Sequence, residues 1–388
     1  MTQPAAPRIV SMLFCLENEQ GHIYSYNQWV GEAARLLGWE HVAALRAAAN
    51  VANVPDGWDL CLGTRESYFR FRPLVKIEKM LKLVRSLAAY FRVQAEQSKP
   101  VIYFLEWFDP VHLIAFCVAL LLTRRQDKRN VWILYRFEFP KTFITRLYRF
   151  LHALVRWRVG HRQLVLFSET DLVAESLAAT FGQHVYVLPL PTISPSEPAR
   201  LYAWSSARER AGKVVCWWPG QPVEAKGLST VDRLIRQAGP EAEHICIVAD
   251  QRAGFAPVAG GCQLILLPPG MPRVDYLGWL YTMDLALLPY DPQAYATRTS
   301  GVFADAITAG KPTAVTDGTW MAHELRKYGL DELILDWTSP HLIGDLLRLP
   351  ANPDVRQKIE RIRSDYASFH SIAGYADTIM KVYDLTHQ

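Results

Sequence analysis

The sequence has no Gly-x-Gly-x-x-Gly after an apolar run, which removes the usual dinucleotide fingerprint and, with it, a nicotinamide oxidoreductase. Its six cysteines (Cys15, Cys61, Cys117, Cys216, Cys246 and Cys262) contain no Cys-x-x-Cys and no Cys/His spacing suited to a metal. They read as reduced, buried thiols, and no metal or other cofactor is expected. Long hydrophobic runs are also lacking. The longest apolar helix candidate, Val111 to Thr123, is interrupted by His112 and spans only about 20 Å at helical rise, too short for a bilayer. The start, MTQPAAPRIVSMLFC, has no charged region ahead of a long apolar stretch, so its apolar run reads as a buried strand rather than an export signal, and a cytoplasmic location is expected. There is no internal repeat or low-complexity tract. The formal net charge of +4 is mild, and no nucleic-acid motif accompanies it, so no nucleic-acid partner is expected.

What is present is bulk and aromatic surface: 388 residues, half of them hydrophobic, with 12 Trp and 17 Tyr. That length exceeds the usual ceiling for one core and favours two domains. Charge divides unevenly between them, with 23 basic and 16 acidic residues up to position 195 and 19 basic and 22 acidic residues after it. The first half alternates strand-like runs (Ile9 to Phe14, Leu60 to Leu62, Val101 to Leu105, Val131 to Tyr135, Leu164 to Phe167, Val185 to Leu188) with stretches of helical spacing such as Tyr26 to Leu37 and Asp171 to Thr180. This is the pattern of a parallel sheet covered on both faces. A Pro- and Ser-rich stretch then breaks the alternation. It restarts at Val214 to Trp217 and continues through His244 to Ala249, Gln263 to Leu267, Leu285 to Leu288 and Thr313 to Thr316. The expected layout is an N-terminal Rossmann-like domain over 1–192, a linker over 193–212, a second Rossmann-like domain over 213–365, and a tail over 366–388 whose helix returns to the first domain.

The segment following Asp284 carries the most chemistry. Leu285 to Leu288 reads as a buried strand ending in Pro289 and Tyr290. A loop then carries Arg298, and Thr299, Ser300 and Gly301 open a helix. Orphan backbone N–H groups, the helix dipole and a guanidinium fork together make an anion site, suited to a phosphate. Asp305 falls one turn inside that helix, where a carboxylate can accept from ribose hydroxyls. A plain N-cap would need neither Arg298 nor the helix stop at Gly310. Farther upstream, Val214 to Trp217 leads through Pro219 and Gly220 to Lys226 and Gly227. An ammonium there suits a diphosphate as a point charge.

In this order the two segments resemble the donor domain of GT-B glycosyltransferases, most closely family 4 and its relatives. That family commonly shows Gly-Arg with Lys-Gly a few residues on. Here the corresponding residues are Pro219-Gly220-Gln221 and Lys226-Gly227, so the Lys is kept and the Arg is replaced by Gln221. It also commonly carries two Glu eight positions apart before Ala-Gly-x-Pro. Aligned on Ala309-Gly310-Lys311-Pro312, the second is Asp305 and the first is Thr297. The resemblance covers about 210–325 and reaches the N-terminal half only through layout. It implies an α/β, GT-B architecture, two Rossmann-like domains with parallel sheets facing a central cleft. It further implies a nucleobase near Pro269 and Gly270, a first loop whose Gly21 approaches the donor across the cleft, and a retaining reaction.

Other candidates lie in the N-terminal half. His22 could serve an acceptor hydroxyl or be merely solvated. Glu106 with Asp109, and Arg136 with Glu138, sit at strand ends where a parallel sheet places its ligands. Glu106 or Glu138 becomes the general base if the reaction inverts. Ser168 and Glu169 are expected to cap the following helix. Basic and aromatic residues interleave over Tyr68 to Arg92 and Lys141 to Arg162. These segments are either core-packed helices with cationic outer faces or a surface for an anionic membrane, at the inner face of which a lipid-linked acceptor would be reached.

The expected activity is transfer of a sugar from a nucleoside-diphosphate sugar to a hydroxyl of a glycan or lipid-linked glycan in cell-surface polysaccharide or glycolipid synthesis. Lys226, Arg298 and the helix start would stabilise the departing diphosphate without a metal. The alternatives are a sugar-nucleotide 2-epimerase of the same architecture and a non-catalytic GT-B subunit that binds a partner glycosyltransferase.

Overall fold

A computed structural model describes residues 6–17, 22–46, 49, 51, 54, 57–62, 73–95, 99–123, 129–138, 143–193, 197, 199 and 212–387. The chain divides into two units, Met1–Pro189 with Ile372–Gln388, and Leu190–Ser371. The expected linker lies largely outside the described residues, and the second unit begins at Leu190, ahead of it.

The first unit runs β1 (Arg8–Leu13), α1 (His22–Leu36), β2 (Glu40–Arg46), β3 (Asp59–Leu62), α2 (Pro73–Ala95), β4 (Val101–Leu105), α3 (Pro110–Leu121), β5 (Arg129–Tyr135), α4 (Phe143–Val159), β6 (Leu164–Ser168), α5 (Asp171–Phe181) and β7 (Val185–Val187). Its seven strands are parallel, in the order β3-β2-β1-β4-β5-β6-β7. The order reverses between β1 and β4, the switch point at whose carboxyl ends such sheets bind ligands. Strand β2 has no strand-like sequence signature. His41, Ala43 and Ala44 are weak β-formers, yet Ala43 and Ala44 are fully buried because β2 lies between β1 and β3.

On one face of this sheet α3 packs between α2 and α4. Asp109 opens α3 by accepting the His112 N–H at 2.9 Å, while His112 Nδ1 accepts the Asp109 N–H at 3.2 Å, a reciprocal cap. Asp109 thus serves as the N-cap of α3. Arg158 and Arg129 are buried at the other end of α3. Arg158 donates to the Leu120 carbonyl at 3.1 Å, and Arg129 to Thr123 Oγ1 at 3.0 Å. Cations at a helix C-terminus satisfy its last carbonyls and its dipole. Within the Lys141 to Arg162 stretch, Arg158 thus faces the core.

The second unit runs β8 (Val214–Trp218), α6 (Leu228–Ile235), β9 (Ile245–Asp250), β10 (Gln263–Leu267), α7 (Arg273–Thr282), β11 (Leu285–Leu288), α8 (Pro292–Tyr295), α9 (Gly301–Thr308), β12 (Thr313–Thr316), α10 (Trp320–Arg326), β13 (Ile334–Leu335), α11 (Leu342–Arg348) and α12 (Pro353–Phe369). Six parallel strands lie in the order β10-β9-β8-β11-β12-β13, again reversing next to the first strand of the unit.

The last helix, α13 (Ile372–His387), belongs to the first unit. Its buried residues Tyr375, Ala376, Ile379, Val382 and Tyr383 recur at helical spacing and join Val30, Ala33, Ala34 and Trp39 in the core on the face of the sheet that α1 covers. Ile379 is 1 % exposed, so Ile379→Ala should remove about 2–5 kcal/mol of stability by leaving a cavity. Urea unfolding of the full chain, followed by a probe in the first unit, should show the midpoint move down.

Candidate functional site

In the second unit, the loop after β8 is fastened to the end of β11. Gly227 adopts φ +83°, and a Cβ there would lie 2.3 Å from the Pro289 carbonyl oxygen. Only glycine allows that approach. The Asp291 N–H donates to the Ala225 carbonyl at 3.0 Å, and the Trp218 indole N–H to the Lys226 carbonyl at 2.9 Å. These contacts hold Lys226, whose Nζ stands 5.7 Å from the centroid of Tyr290. Arg298 stands 5.3 Å over Tyr295, and the Tyr290 and Tyr295 rings touch at 4.5 Å between centroids. A Cβ on Gly220, at φ +97°, would meet Lys226 Nζ at 3.0 Å, so the amine lies against bare backbone.

Gly220, Lys226 and Arg298 are thus brought together from two stretches distant in sequence. Burial lowers the Lys226 pKa, and the charge of Arg298 lowers it further. A half-buried cation depressed by a second cation is an electrostatic feature suited to an anion. Ser300 caps α9 by accepting the Phe303 N–H at 3.3 Å, and Gly301 follows, exposed, at the start of the helix. The Ser300 hydroxyl is therefore engaged, and the free N–H groups of the first turn are what this helix start offers a ligand. Thr299 lies half-buried immediately before it.

Asp305 lies inside α9 with both oxygens already accepting, from the Ile193 N–H at 3.2 Å and from Tyr276 Oη at 2.9 Å, with Arg273 at 3.7 Å. Burial pushes its carboxyl up to about 6, against the pull of Arg273 and these hydrogen bonds. Each oxygen retains one acceptor position for a ligand. Tyr276, half-buried and packed on Trp217 at 5.2 Å, and Arg273, 5.4 Å over Tyr276, complete this cluster. Neither was singled out by the sequence, although Arg-x-x-Tyr at the head of α7 puts both on one helix face. Pro269 and Gly270 form an exposed turn between β10 and α7, with Gly270 at φ +69°.

In the first unit, Gly21 lies outside the described residues, as does the side chain of His22, which opens α1. Glu138 is exposed beyond β5. Glu106, at the end of β4, is 3 % exposed, and burial pushes its carboxyl up to about 7, opposed by the Ser11 hydroxyl and Arg136. Its Oε1 is without a hydrogen-bond partner among the described residues. Ser11 Oγ also lies 3.2 Å from His41 Nε2, so a buried polar file runs from His41 to Glu106. Arg136 organises the neighbouring strand ends. It pairs with Glu169, lies 3.9 Å over Tyr26 and 4.7 Å over Trp107, and reaches the Glu106 carbonyl at 3.5 Å. Glu169 is thus an ion-pair partner rather than a cap. The cap of α5 is Thr170, which accepts the Val173 N–H at 3.0 Å, and Ser168 accepts the Thr170 N–H at 3.4 Å. The pocket beside Glu106, walled by Trp107, Phe108, Tyr135 and Phe137, has a volume of ≈ 40 Å³, room for a water rather than a sugar.

No family model matches the chain, and no curated protein matches it. Solved structures match it over nearly its whole length. A glycosyltransferase from Rickettsia africae ESF-5 aligns at TM-score 0.65 and 10 % identity, covering 99 % of both chains. Anabaena HepE in complex with UDP aligns at TM-score 0.59 and 12 % identity, over 97 % of this chain and 99 % of that one. An Escherichia coli trehalose-6-phosphate structure bound with UDP-2-fluoro glucose aligns at TM-score 0.65 and 12 % identity, over 98 % and 99 %. At such identities the likeness is one of fold: the chain shares the α/β GT-B fold of these proteins, built from two parallel sheets flanked by helices.

Because the Glu106 carboxyl stands at about 7 in the folded chain against an ordinary 4.5, its protonated form contributes stability that is complete below about pH 4.5 and is lost as pH rises through 7. Glu106→Gln, which stays neutral, should flatten that decline. Urea midpoints of the two proteins at pH 5 and pH 8 measure it, and parallel declines would count against the assignment.

Proposed function

We propose that the protein is a nucleotide-sugar-dependent glycosyltransferase that moves a sugar to a hydroxyl of a glycan or lipid-linked glycan acceptor. The observation that carries this reading is the nearness of Lys226, held against Gly220, to Arg298 in the loop that precedes α9. A departing nucleoside diphosphate carries the charge that these cations lack, and stabilising it is the electrostatic work the reaction needs. Fixed cations and helix N–H groups can do so without a metal. Asp305 would hold the ribose through its remaining acceptor positions, with the base at the Pro269–Gly270 turn. HepE in complex with UDP and the E. coli structure bound with UDP-2-fluoro glucose share this fold, which supports a uridine nucleotide as the first probe.

A retaining reaction needs no conventional protein base. The burial of Glu106 beside a space of ≈ 40 Å³ favours that course over one in which Glu106 deprotonates an acceptor. Glu138, exposed, is the base if the reaction inverts.

Three helices of the first unit support access to a lipid-linked acceptor, in a pathway to a cell-surface polysaccharide or glycolipid. Leu122 is 60 % exposed just past α3, and on α4 Phe143 is 78 %, Phe150 60 % and Trp157 71 % exposed. Lys82, Arg85 and Arg92 on α2 and Arg146 and Arg149 on α4 are exposed on the flanking helices. Apolar side chains bordered by cations suit the headgroup region of an anionic bilayer, each cation adding about 1 kcal/mol. Among the described residues no helix is long and apolar enough to cross a membrane, so the protein would lie on the bilayer.

Calorimetry with UDP tests the diphosphate assignment. Lys226→Ala and Arg298→Ala should each weaken binding about tenfold to hundredfold, the cost of one charged hydrogen bond, and EDTA should leave it unchanged. Wild-type affinity in both variants would remove the assignment. Incubation of a bound nucleotide sugar with and without acceptor separates a transferase from a 2-epimerase, and absence of any nucleotide binding would favour a non-catalytic subunit. Flotation should bring the protein up with anionic liposomes and not neutral ones, and Phe150→Ser with Trp157→Ser should abolish it. Equal recovery with both lipids would count against an electrostatic surface.

A further inference from the structure

Two stretches of the second unit meet at His370. The chain enters this unit between Pro189 and Leu190 and leaves it between Ser371 and Ile372. His370, 6 % exposed just past α12, ties the entering stretch to the leaving one. Its Nδ1 accepts the Leu190 N–H at 3.0 Å, and its carbonyl accepts the Thr192 N–H at 2.8 Å. The Thr192 hydroxyl donates to the same carbonyl at 3.3 Å. A ring nitrogen that accepts carries no proton, and burial lowers the His370 pKa to about 4, so the ring is a neutral acceptor at ordinary pH. Tyr366 at 4.6 Å and Phe369 at 4.9 Å hold the ring in place.

From His370 the entering stretch runs to α9. Thr192 Oγ1 lies 3.1 Å from Thr308 Oγ1, and the Ile193 N–H donates to Asp305 Oδ1 at 3.2 Å. Asp305 and Thr308 stand on one face of α9, so residues 190–193 lie along the turn that carries the carboxylate. Tyr276 Oη holds the other oxygen at 2.9 Å. The Asp305 side chain nevertheless keeps 15 % of its surface exposed, so it is not sealed from solvent.

An aspartate carboxylate turns about two torsions, and a pair of hydroxyls bonds it well in few of the resulting orientations. Fixing the orientation before the ligand arrives lowers the cost of binding. For Oδ1 the fixing group is a main-chain N–H, whose place is set by the stretch that His370 grips.

We infer that His370 is a positioning residue for ribose recognition, acting through residues 190–193 to orient Asp305. The inference rests on the reading of Asp305 as the residue that holds the ribose. His370 then sets how strongly the ribose hydroxyls are bound and leaves the diphosphate contacts of Lys226 and Arg298 as they are.

Calorimetry of the full chain with UDP and with 2′,3′-dideoxy-UDP, which keeps the base and diphosphate and lacks both hydroxyls, reads this directly. The wild type should bind UDP about tenfold more tightly than the dideoxy compound. His370→Leu, which keeps bulk and removes the acceptor, should reduce that ratio to about twofold with the dideoxy affinity unchanged. His370→Asn, whose Oδ1 can accept in place of Nδ1, should restore the ratio. Thr192→Val, which keeps the shape and removes the hydroxyl, should lower the ratio about threefold, and it decides the matter if His370→Leu does not fold. A wild-type ratio in the deciding variant would overturn the inference. Equal loss of both nucleotides there would also overturn it, since a merely structural residue behaves so. A wild type that binds the two nucleotides equally would instead remove Asp305 as the ribose ligand, and one that binds neither would remove the nucleotide reading; the inference falls with either.

Discussion

The second unit's site depends on a backbone contact, that of Gly227 with Pro289. A side chain at position 227 would place an atom 2.3 Å from the Pro289 carbonyl oxygen. The loop after β8 can lie on the end of β11 because residue 227 has none. From that contact follow the position of Lys226, the nearness of its amine to Gly220, and its electrostatic coupling to Arg298 across the touching rings of Tyr290 and Tyr295. Backbone hydrogen bonds and aromatic faces, rather than carboxylates, hold these cations in place, which leaves their charge available to a ligand.

The first unit uses its strand ends differently. There the charges are internal: Arg136 is joined to Glu169 and sandwiched by Tyr26 and Trp107, and Glu106 is buried in a file with Ser11 and His41. Such a network fixes the carboxyl ends of β4, β5 and β6 relative to one another and exposes little of its charge. The two units carry similar sheets with the same reversal of strand order.

Much of the fold was legible in the chain. Apolar runs bounded by Gly, Pro and polar residues marked the strands of both sheets other than β2 and β13, and Gly310 with Pro312 marked where α9 stops. β2 escaped because Ala43 and Ala44 carry no strand preference of their own and are buried only by neighbours on either side. β13 is two residues long, too short for any periodicity. Within the site, Gly220, Lys226, Arg298 and the Ser300 cap were visible because backbone chemistry restricts which residues can occupy such turns and helix starts.

Hydrogen-bond partners were not visible in the same way. Asp305 could be recognised as a carboxylate one turn into a helix, but not that Tyr276 and Ile193 already bond to it. Glu169 reads as a capping residue until β5 brings Arg136 beside it. The sequence by itself determined most of the secondary elements, the parallel arrangement of the sheets and the residue types at the turns, since these follow from local propensity and periodicity. Only the tertiary structure decided which charges are paired and which are left open, because pairing depends on groups distant along the chain meeting at a few ångströms.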